Sequence, residues 1–386
     1  MLSQGRKVYI ATIIFSLLFT LAGFHAFSGF QVETSTDVEF IRARVISVDA
    51  IVQGTDFLGN DYETIYFTAR INEGDERGAT VSGIQEVGGM FAISEKEIHQ
   101  GNRIFIYFNE NELMGDAGWR FAGYNRTLPL VVLCVSFLAA ILLIGRMKGI
   151  GTVLSLTFTC AAIFLVYIPS ILNGVNVYLS TIVVGVYIIV MSLLLINGAN
   201  AKTWCAVLGN VGGVIIAALL ALLMNRIMRM TGFFNEEMVF LSFTSSGDQL
   251  NILGIVWGGM VLGSLGAIMD VAMTIASSMH ELSEHMNRKD FAKMFASGMN
   301  IGRDAIGTMT NTLILAYIGS SLALVMLLMV YTGNVFSLFS MEMIAAEIVQ
   351  AITGSVGILF AVPLTAYFSA YIYSRADRDK GRDEPW

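Results

Sequence analysis

A carboxylate and several small polar side chains share one helical face of an apolar stretch in the second half of the chain. Asp270 lies in this stretch, and Thr274, Ser277 and Glu281 follow it at the spacing that keeps side chains on one side of a helix. An unpaired ionisable side chain inside a membrane span costs roughly 3 kcal/mol. The pattern therefore predicts a cation or proton site, or part of a path for a polar solute. A buried polar contact between two helices is the structural alternative.

The next predicted helix carries a complementary set of polar residues. Two adjacent faces of this helix are formed by Asn300, Asp304, Thr308 and Asn311 and by Arg303, Gly307, Thr310, Tyr317 and Ser321. We expect Asp270 to meet Thr308 or Asn311 where the two helices pack together. Arg303 and Asp304 also have structural explanations, because a cation suits a membrane boundary and an anion suits a helix N-terminus.

Glycines precede Asp270 on the same predicted helix. Gly254 and Gly258 form one GxxxG pair, Gly259 and Gly263 form a second, and Gly266 continues the second face. Small residues at this spacing let the backbone of a neighbouring helix approach closely. We therefore expect these glycines to be helix-packing positions.

Other ionisable residues nearby give weaker signals. His280 and His285 are five residues apart, whereas the zinc-binding HExxH motif places its histidines four apart on one face, so no metal site is predicted. Glu281 and Glu347 are secondary candidates for the polar path, although solvation at a membrane boundary also explains Glu347. The sequence has no Walker loop, no GxGxxG after a strand and no GxSxG motif. We therefore expect neither a cofactor nor enzymatic activity.

The composition is that of a membrane protein. Of the 386 residues, 55% are hydrophobic and 14% are charged, whereas soluble domains carry about 25% charged residues. Cys134, Cys160 and Cys205 all lie in apolar runs and form no CxxC or disulfide pattern. The segment from Gln31 to Arg126 holds 16 acidic and 8 basic residues, which disfavours nucleic acid as a partner.

Apolar runs of roughly 20 residues, the length that crosses a bilayer, recur along the chain. They are residues 8–27, 128–145, 150–169, 177–197, 203–225, 251–280, 304–332 and 346–373. The first is either an uncleaved anchor or a signal peptide. Thirteen Lys and Arg residues lie in the segments on the side of the N-terminus, and two, Arg226 and Arg229, lie in the short loops opposite. The positive-inside rule therefore predicts a multi-pass protein of the cell membrane with both termini in the cytoplasm.

Residues 31–126 have a different pattern. Apolar and polar residues nearly alternate in segments such as 62–71 and 103–108, which is typical of β-strands, and glycines separate these segments. They predict a small closed all-β domain, OB-like in architecture and extracytoplasmic. The predicted fold is thus an α-helical membrane bundle of about eight transmembrane helices with this β domain between the first and second. Its parts are an N-terminal anchor (1–30), the β domain (31–126), a seven-span core (127–374) and a charged cytoplasmic tail (375–386).

The residues around the polar helices resemble one known family. The runs MDVAMTIAS at 269–277 and MNIGRDAIGTMTNTLILAYIGSS at 299–321, with AAEIV at 345–349 and AVPLT at 361–365, are similar to the signature of YibE/F-like membrane proteins. The resemblance extends over residues 125–374, and the layout is similar to that of the longer, YibE-like members. It implies a second YibE/F-like membrane subunit, or a homo-oligomer, as a partner, and it implies no catalytic residues.

Two functions fit these observations. The first is a transporter or permease for an unknown small solute or ion, with a polar path around Asp270 and Asn311. The second is a receptor, scaffold or assembly module that binds a partner through its β domain and uses the polar stripe for helix packing or subunit contact. Both require the lipid bilayer as a partner. An intramembrane enzyme is disfavoured, because the sequence suggests no nucleophile and base pair.

Overall fold

A computed structural model describes residues 2–27, 39–55, 59–74, 76–88, 96–109, 118–244, 250–286, 289–332, 337 and 339–380. Residues 28–38, which include the predicted start of the β domain, and residues 381–386 of the predicted tail lie outside this described part. The chain divides into two compact units, one formed by Met1–Gln31 with Ile141–Trp386 and the other by Val32–Ala140.

The smaller unit contains a closed β-barrel. Its strands are β1 (Ile41–Thr55), β2 (Asp61–Ile71), β3 (Thr80–Gly88), β4 (Arg103–Asn109) and β5 (Gly118–Tyr124). They follow the order β1-β2-β3-β5-β4, and β4 pairs back with β1. The β3–β5 pair is parallel and the other pairs are antiparallel. Alternation along β2 points Ile65, Phe67 and Ala69 into the core, so the predicted small β domain is confirmed.

Strand β1 is long enough to pair with two neighbours. Its register against β2 shifts between Val45 and Ser47 and again between Val48 and Ala50. Such bulges bend a strand and increase its twist, which lets β1 close the barrel by pairing with β2 along its length and with β4 at its start.

The larger unit is helical. The described helices are α1 (Leu2–Phe27), α2 (Thr127–Ala161), α3 (Ile168–Leu172), α4 (Val177–Asn197), α5 (Ala201–Ile227), α6 (Glu236–Thr244), α7 (Ile252–His285), α8 (Phe291–Ser320), α9 (Leu322–Thr332) and α10 (Glu342–Lys380). A π-helical segment, Ala162–Tyr167, lies between α2 and α3. The boundary between the two units falls within α2. Side chains cap several of the helix starts. Asn176 precedes α4, Asn251 precedes α7 and Asp290 precedes α8, and each accepts hydrogen bonds from backbone N–H groups of the first turn.

The stretch Thr127–Leu172 is interrupted. It is 46 residues long, more than twice the roughly 20 residues that cross a bilayer. Arg146 lies inside it with φ of 49° and ψ of −126°, which is not helical. This break falls between the predicted apolar runs 128–145 and 150–169.

Six of the described helical stretches are long and apolar enough to span a membrane. They are Lys7–Phe27, Thr127–Leu172, Val177–Asn197, Ala201–Ile227, Ile252–His285 and Glu342–Arg375. The chain is therefore a membrane protein, as predicted. The predicted run 304–332 is not among the six, because it is divided between α8 and α9 near Ser321 and its first part carries the polar residues of α8.

Small residues let the long helices of this unit pack closely. Gly213 of α5 faces α10 and α7 at once. A methyl group in its place would lie 2.8 Å from the carbonyl oxygen of Gly357, 2.9 Å from the side chain of Ala361 and 3.0 Å from that of Ile268. The centre of the bundle is therefore a contact between α5, α7 and α10 that has no room for larger side chains.

Candidate functional site

Helix α7 has an inner face and an outer face with opposite character. Val271, Ala272 and Ile275 are completely buried in the apolar clusters formed with the neighbouring helices. Asp270 and Thr274 lie on the other side and are exposed. The Thr274 hydroxyl donates a hydrogen bond to the backbone carbonyl of Asp270 at 2.7 Å. The carboxylate of Asp270 has no ion pair or hydrogen bond within the described part of the chain.

The polar residues of α8 are exposed as well. These residues are Asn300, Arg303, Asp304, Thr308 and Asn311. Arg303 donates a hydrogen bond to Asn300 Oδ1 at 3.2 Å, and the Thr308 hydroxyl donates one to the carbonyl of Ala305 at 3.1 Å. These bonds stay within α8. Among the described residues, no hydrogen bond joins Asp270 to Thr308 or Asn311, so the expected contact across the two helices is not formed.

Two glycines that were not predicted as packing positions lie where α8 contacts its neighbours. A methyl group on Gly298 would lie 2.8 Å from the sulfur of Met279 and 2.9 Å from Ala366. One on Gly302 would lie 3.3 Å from Ile275 and would collide with Val362. Helix α8 therefore packs its glycine face on α7 and α10 and turns its polar residues away. The four-residue spacing of these glycines was the signal available in the sequence.

The first two predicted packing glycines of α7 are buried. Gly254 lies against the side chain of Asn251, which accepts a hydrogen bond from the Gly254 N–H at 2.8 Å. Gly258 lies directly against the hydroxyls of Tyr167 and Thr181, which are 3.0 Å apart. A larger residue at Gly258 would displace this polar pair.

The remaining predicted packing glycines are open. Gly259 and Gly266 are exposed, and a methyl group on either would have no described atom within 4 Å. Gly263 is exposed but has neighbours, because a methyl group there would lie 3.2 Å from the Tyr317 hydroxyl and 3.3 Å from the Gln350 amide. The backbone of α7 is therefore exposed along the edge that holds Gly259 and Gly266.

The secondary candidates are dispersed. Ser277 is half-buried, Glu281 is exposed and Glu347 is half-buried. His280 Nε2 lies 3.6 Å from the carboxylate of Glu284, one turn further along α7. Within the described residues no three His, Cys, Asp or Glu side chains are close enough to hold a metal ion.

Among the described acidic groups of the helical unit, the carboxylate of Glu342 at the start of α10 has the most hydrogen-bond partners. It accepts hydrogen bonds from the N–H groups of Thr231 and Gly232, each at 2.6 Å, and from the Thr231 hydroxyl at 2.9 Å. No role for it was predicted from the sequence. The available signal was an acidic residue just before the last predicted span, where a negative charge suits a helix N-terminus.

The barrel has an open polar groove of about 570 Å³. Its lining residues are Gln53, Gly54, Thr55, Asp61, Tyr62, Glu63, Val87, Gly88 and Glu97. Gln53 donates a hydrogen bond to Glu63 at 3.0 Å, and Thr55 donates one to Asp61 at 3.2 Å. The groove is therefore acidic, and its carboxylates are oriented by neighbouring side chains.

The outer faces of α7 and α8 together offer two carboxylates, a guanidinium, amides and hydroxyls. Groups of these types can bind polar solutes or ions through hydrogen bonds and charge. The profile of the YibE/F-like protein family matches residues 133–375. The chain belongs to the YibE/F-like family. This YibE/F-like region includes both polar helices, and the resemblance found in the sequence is confirmed. Neither the comparison with curated proteins nor that with solved structures gave a match.

Proposed function

We propose that the protein is a transporter or permease for a small solute or ion, and not an enzyme, in which the outer faces of α7 and α8 form one wall of a polar path. The observation that carries this proposal is the state of Asp270. It is exposed and unpaired among the described residues, yet it lies in a helix long and apolar enough to span a membrane. Contact with lipid would cost roughly 3 kcal/mol, and a water-lined path avoids that cost.

A second membrane subunit forms the other wall in this proposal, either another YibE/F-like chain or a second copy of this one. Gly259 and Gly266 support it, because exposed glycines on a spanning helix let another helix approach its backbone. Charge supports it too. Arg303 and Asp304 place both signs on one exposed surface, so this surface offers each charge an opposite one on a copy related by a two-fold axis.

The proposed topology has eight crossings, both termini in the cytoplasm of a cell-membrane protein, and the barrel outside. The break at Arg146 supports two crossings within Thr127–Leu172. Helices α8 and α9 supply the seventh crossing over residues 304–332, with the polar residues facing the path. The strand order β1-β2-β3-β5-β4 with a parallel β3–β5 pair supports an OB-like barrel.

Asp270→Asn tests the ion-binding part of this proposal. The purified full chain and the variant are unfolded by heat between pH 5 and 8, in sodium, potassium or a large organic cation. We expect the wild-type midpoint to depend on pH or on the small cation, because binding to the folded state alone stabilises it. The variant should fold and lose this dependence.

Glu237→Gln is the matched control, because Glu237 is an exposed carboxylate outside the candidate spans. It should leave the wild-type response unchanged. If Asp270→Asn responds as the wild type does, or if no protein responds, Asp270 is not an ion or proton site and the proposed path loses its main support.

The acidic groove of the barrel favours a second function, that of a receptor, scaffold or assembly module. Asp61, Glu63 and Glu97 line one groove, and a concentration of negative charge attracts cationic partners. In this alternative, the barrel binds a basic segment of another extracytoplasmic protein, and the polar stripe of α7 and α8 serves for packing only.

A lysine-rich peptide is the probe for this alternative. Calorimetric titration of the full chain should show binding that weakens with salt, because the attraction is between exposed charges. The double variant Asp61→Asn, Glu63→Gln should weaken it strongly. Glu76→Gln, in an exposed turn outside the groove, should not. Equal binding by all three proteins would mean that the groove is not the binding surface.

A further inference from the structure

One face of α10 carries hydroxyl groups that are buried without partners. Thr365, Ser369 and Tyr373 are spaced four residues apart and therefore lie on the same side of the helix. Thr365 and Ser369 are 0% exposed, and Tyr373 is 6% exposed. No nitrogen or oxygen atom of the described residues bonds to these hydroxyls, and Ser369 has only the Cys205 thiol beside it.

Other hydroxyls of α10 behave differently. Thr353 donates to the carbonyl of Val349 at 2.7 Å, and Ser355 donates to that of Ala351 at 2.8 Å. A buried serine or threonine on a helix is commonly satisfied in this way by the turn before it. The three unpaired hydroxyls are thus a property of one face and not of the whole helix.

Helix α5 carries a further unpaired group one residue from its contact with α10. Gly209 lies directly against the Thr365 hydroxyl. The next residue, Asn210, is 0% exposed, and neither its amide nitrogen nor its amide oxygen has a partner within the described chain. Cys205, one turn earlier on α5, lies beside Ser369.

Helix α7 adds His280 to the end of the row formed by Thr365, Ser369 and Tyr373. The His280 ring stacks on the Tyr373 ring, with 5.7 Å between the ring centres, and His280 Nδ1 is buried with no described partner. The row formed by Thr365, Ser369 and Tyr373 of α10 therefore ends at His280 of α7, and Asn210 of α5 is the residue after the glycine that contacts Thr365. On α7, His280 lies about 15 Å further along the helix than Asp270 and about 80° around its axis.

A buried polar group without a hydrogen bond costs about 1–3 kcal/mol, and native structures satisfy nearly all such groups with protein or ordered water. We propose that ordered water molecules bind between α5, α7 and α10 and hydrogen-bond the Asn210 amide, the hydroxyls of Thr365, Ser369 and Tyr373, and His280 Nδ1. This water site is independent of the proposed path along the outer faces of α7 and α8.

Hydroxyl radicals generated by X-ray pulses within the intact, detergent-solubilised chain test this proposal. Radicals formed from bound water oxidise the side chains beside it, even when bulk water does not reach them. We expect Cys205 and Tyr373 to be oxidised, although both are buried. Met191 is the internal control, because it is equally buried in an apolar cluster away from the row.

Two variants locate the water. Asn210→Leu removes the amide, and Thr365→Val removes one hydroxyl with little change of shape. Both should lower the oxidation of Cys205 and Tyr373 several-fold while Met191 stays unchanged. If Asn210→Leu unfolds the chain, Met191 becomes oxidised and Thr365→Val decides the comparison. The proposal is wrong if Cys205 and Tyr373 of the wild type are as unreactive as Met191. It is also wrong if the folded variants are oxidised as much as the wild type.

Discussion

The Glu342 carboxylate accepts hydrogen bonds from both the backbone N–H and the hydroxyl of Thr231. A third bond comes from the N–H of Gly232, which has φ of 86°. Two successive backbone N–H groups and a hydroxyl thus converge on one carboxylate, and they tie the segment after α5 to the first turn of α10. The negative charge at this helix N-terminus is favourable as well.

Glu342→Gln should destabilise the protein by about 1 kcal/mol, because the amide keeps the shape but loses the charge that strengthens three hydrogen bonds. The measurement is thermal unfolding of the full chain in detergent. Glu347→Gln is the control, since no described partner bonds to that carboxylate. Equal effects of the two variants would show that the bonds to Thr231 and Gly232 contribute nothing measurable.

Two glycines of α8 should respond in opposite directions to the same substitution. Gly302→Ala places a methyl group against Val362 and Ile275 and should cost about 1–3 kcal/mol by overpacking. Gly307→Ala meets no described atom within 4 Å and should be neutral or stabilising by up to about 1 kcal/mol, because alanine favours the helix. Thermal unfolding in detergent gives both values. A loss at Gly307 as large as that at Gly302 would mean that another chain packs on Gly307.

Gly266→Leu should separate the subunits without unfolding the chain. In a single chain the new side chain has free space, whereas a helix packed on this glycine would be pushed away. Light scattering after size-exclusion chromatography should show a smaller particle than the wild type. Ala140→Leu, at an exposed position of α2, is the control. An unchanged particle would exclude a subunit contact at Gly266.

Asp49 should contribute to the stability of the barrel at acidic pH. Hydrogen bonds from Thr68 and Ser47 hold the pKa of the Asp49 carboxyl below its ordinary value of 3.8. Because the folded pKa is below the unfolded one, these bonds stabilise the fold above pH 3.8, and their contribution is lost as the pH falls through the folded pKa. Thr68→Val should raise the pKa of Asp49 toward 3.8, as measured by carboxyl chemical shifts of labelled aspartate. Thr64→Val, on the same strand, should leave it unchanged.

Periodicity determined the classes of structure in this protein. Long apolar runs without charges can satisfy their backbone groups in a membrane only as helices, and alternation over residues 62–71 and 103–108 produces strands. The break at Arg146 coincides with the predicted gap between runs 128–145 and 150–169, where Arg146 and Lys148 interrupt the apolar residues. The division near Ser321 was harder to predict, because the run 304–332 reads as nearly continuous.

The sequence alone determined that this chain is a YibE/F-like membrane protein and that Asp270 shares a helical face with Thr274, since family signature and helical spacing are local properties. Only the tertiary structure decided that this face is uncovered. Burial depends on which helices meet, and α8 met α7 and α10 through Gly298 and Gly302 and not through Thr308 or Asn311. The same three-dimensional packing, which no spacing along one helix reveals, brought Gly209 of α5 against Thr365 of α10.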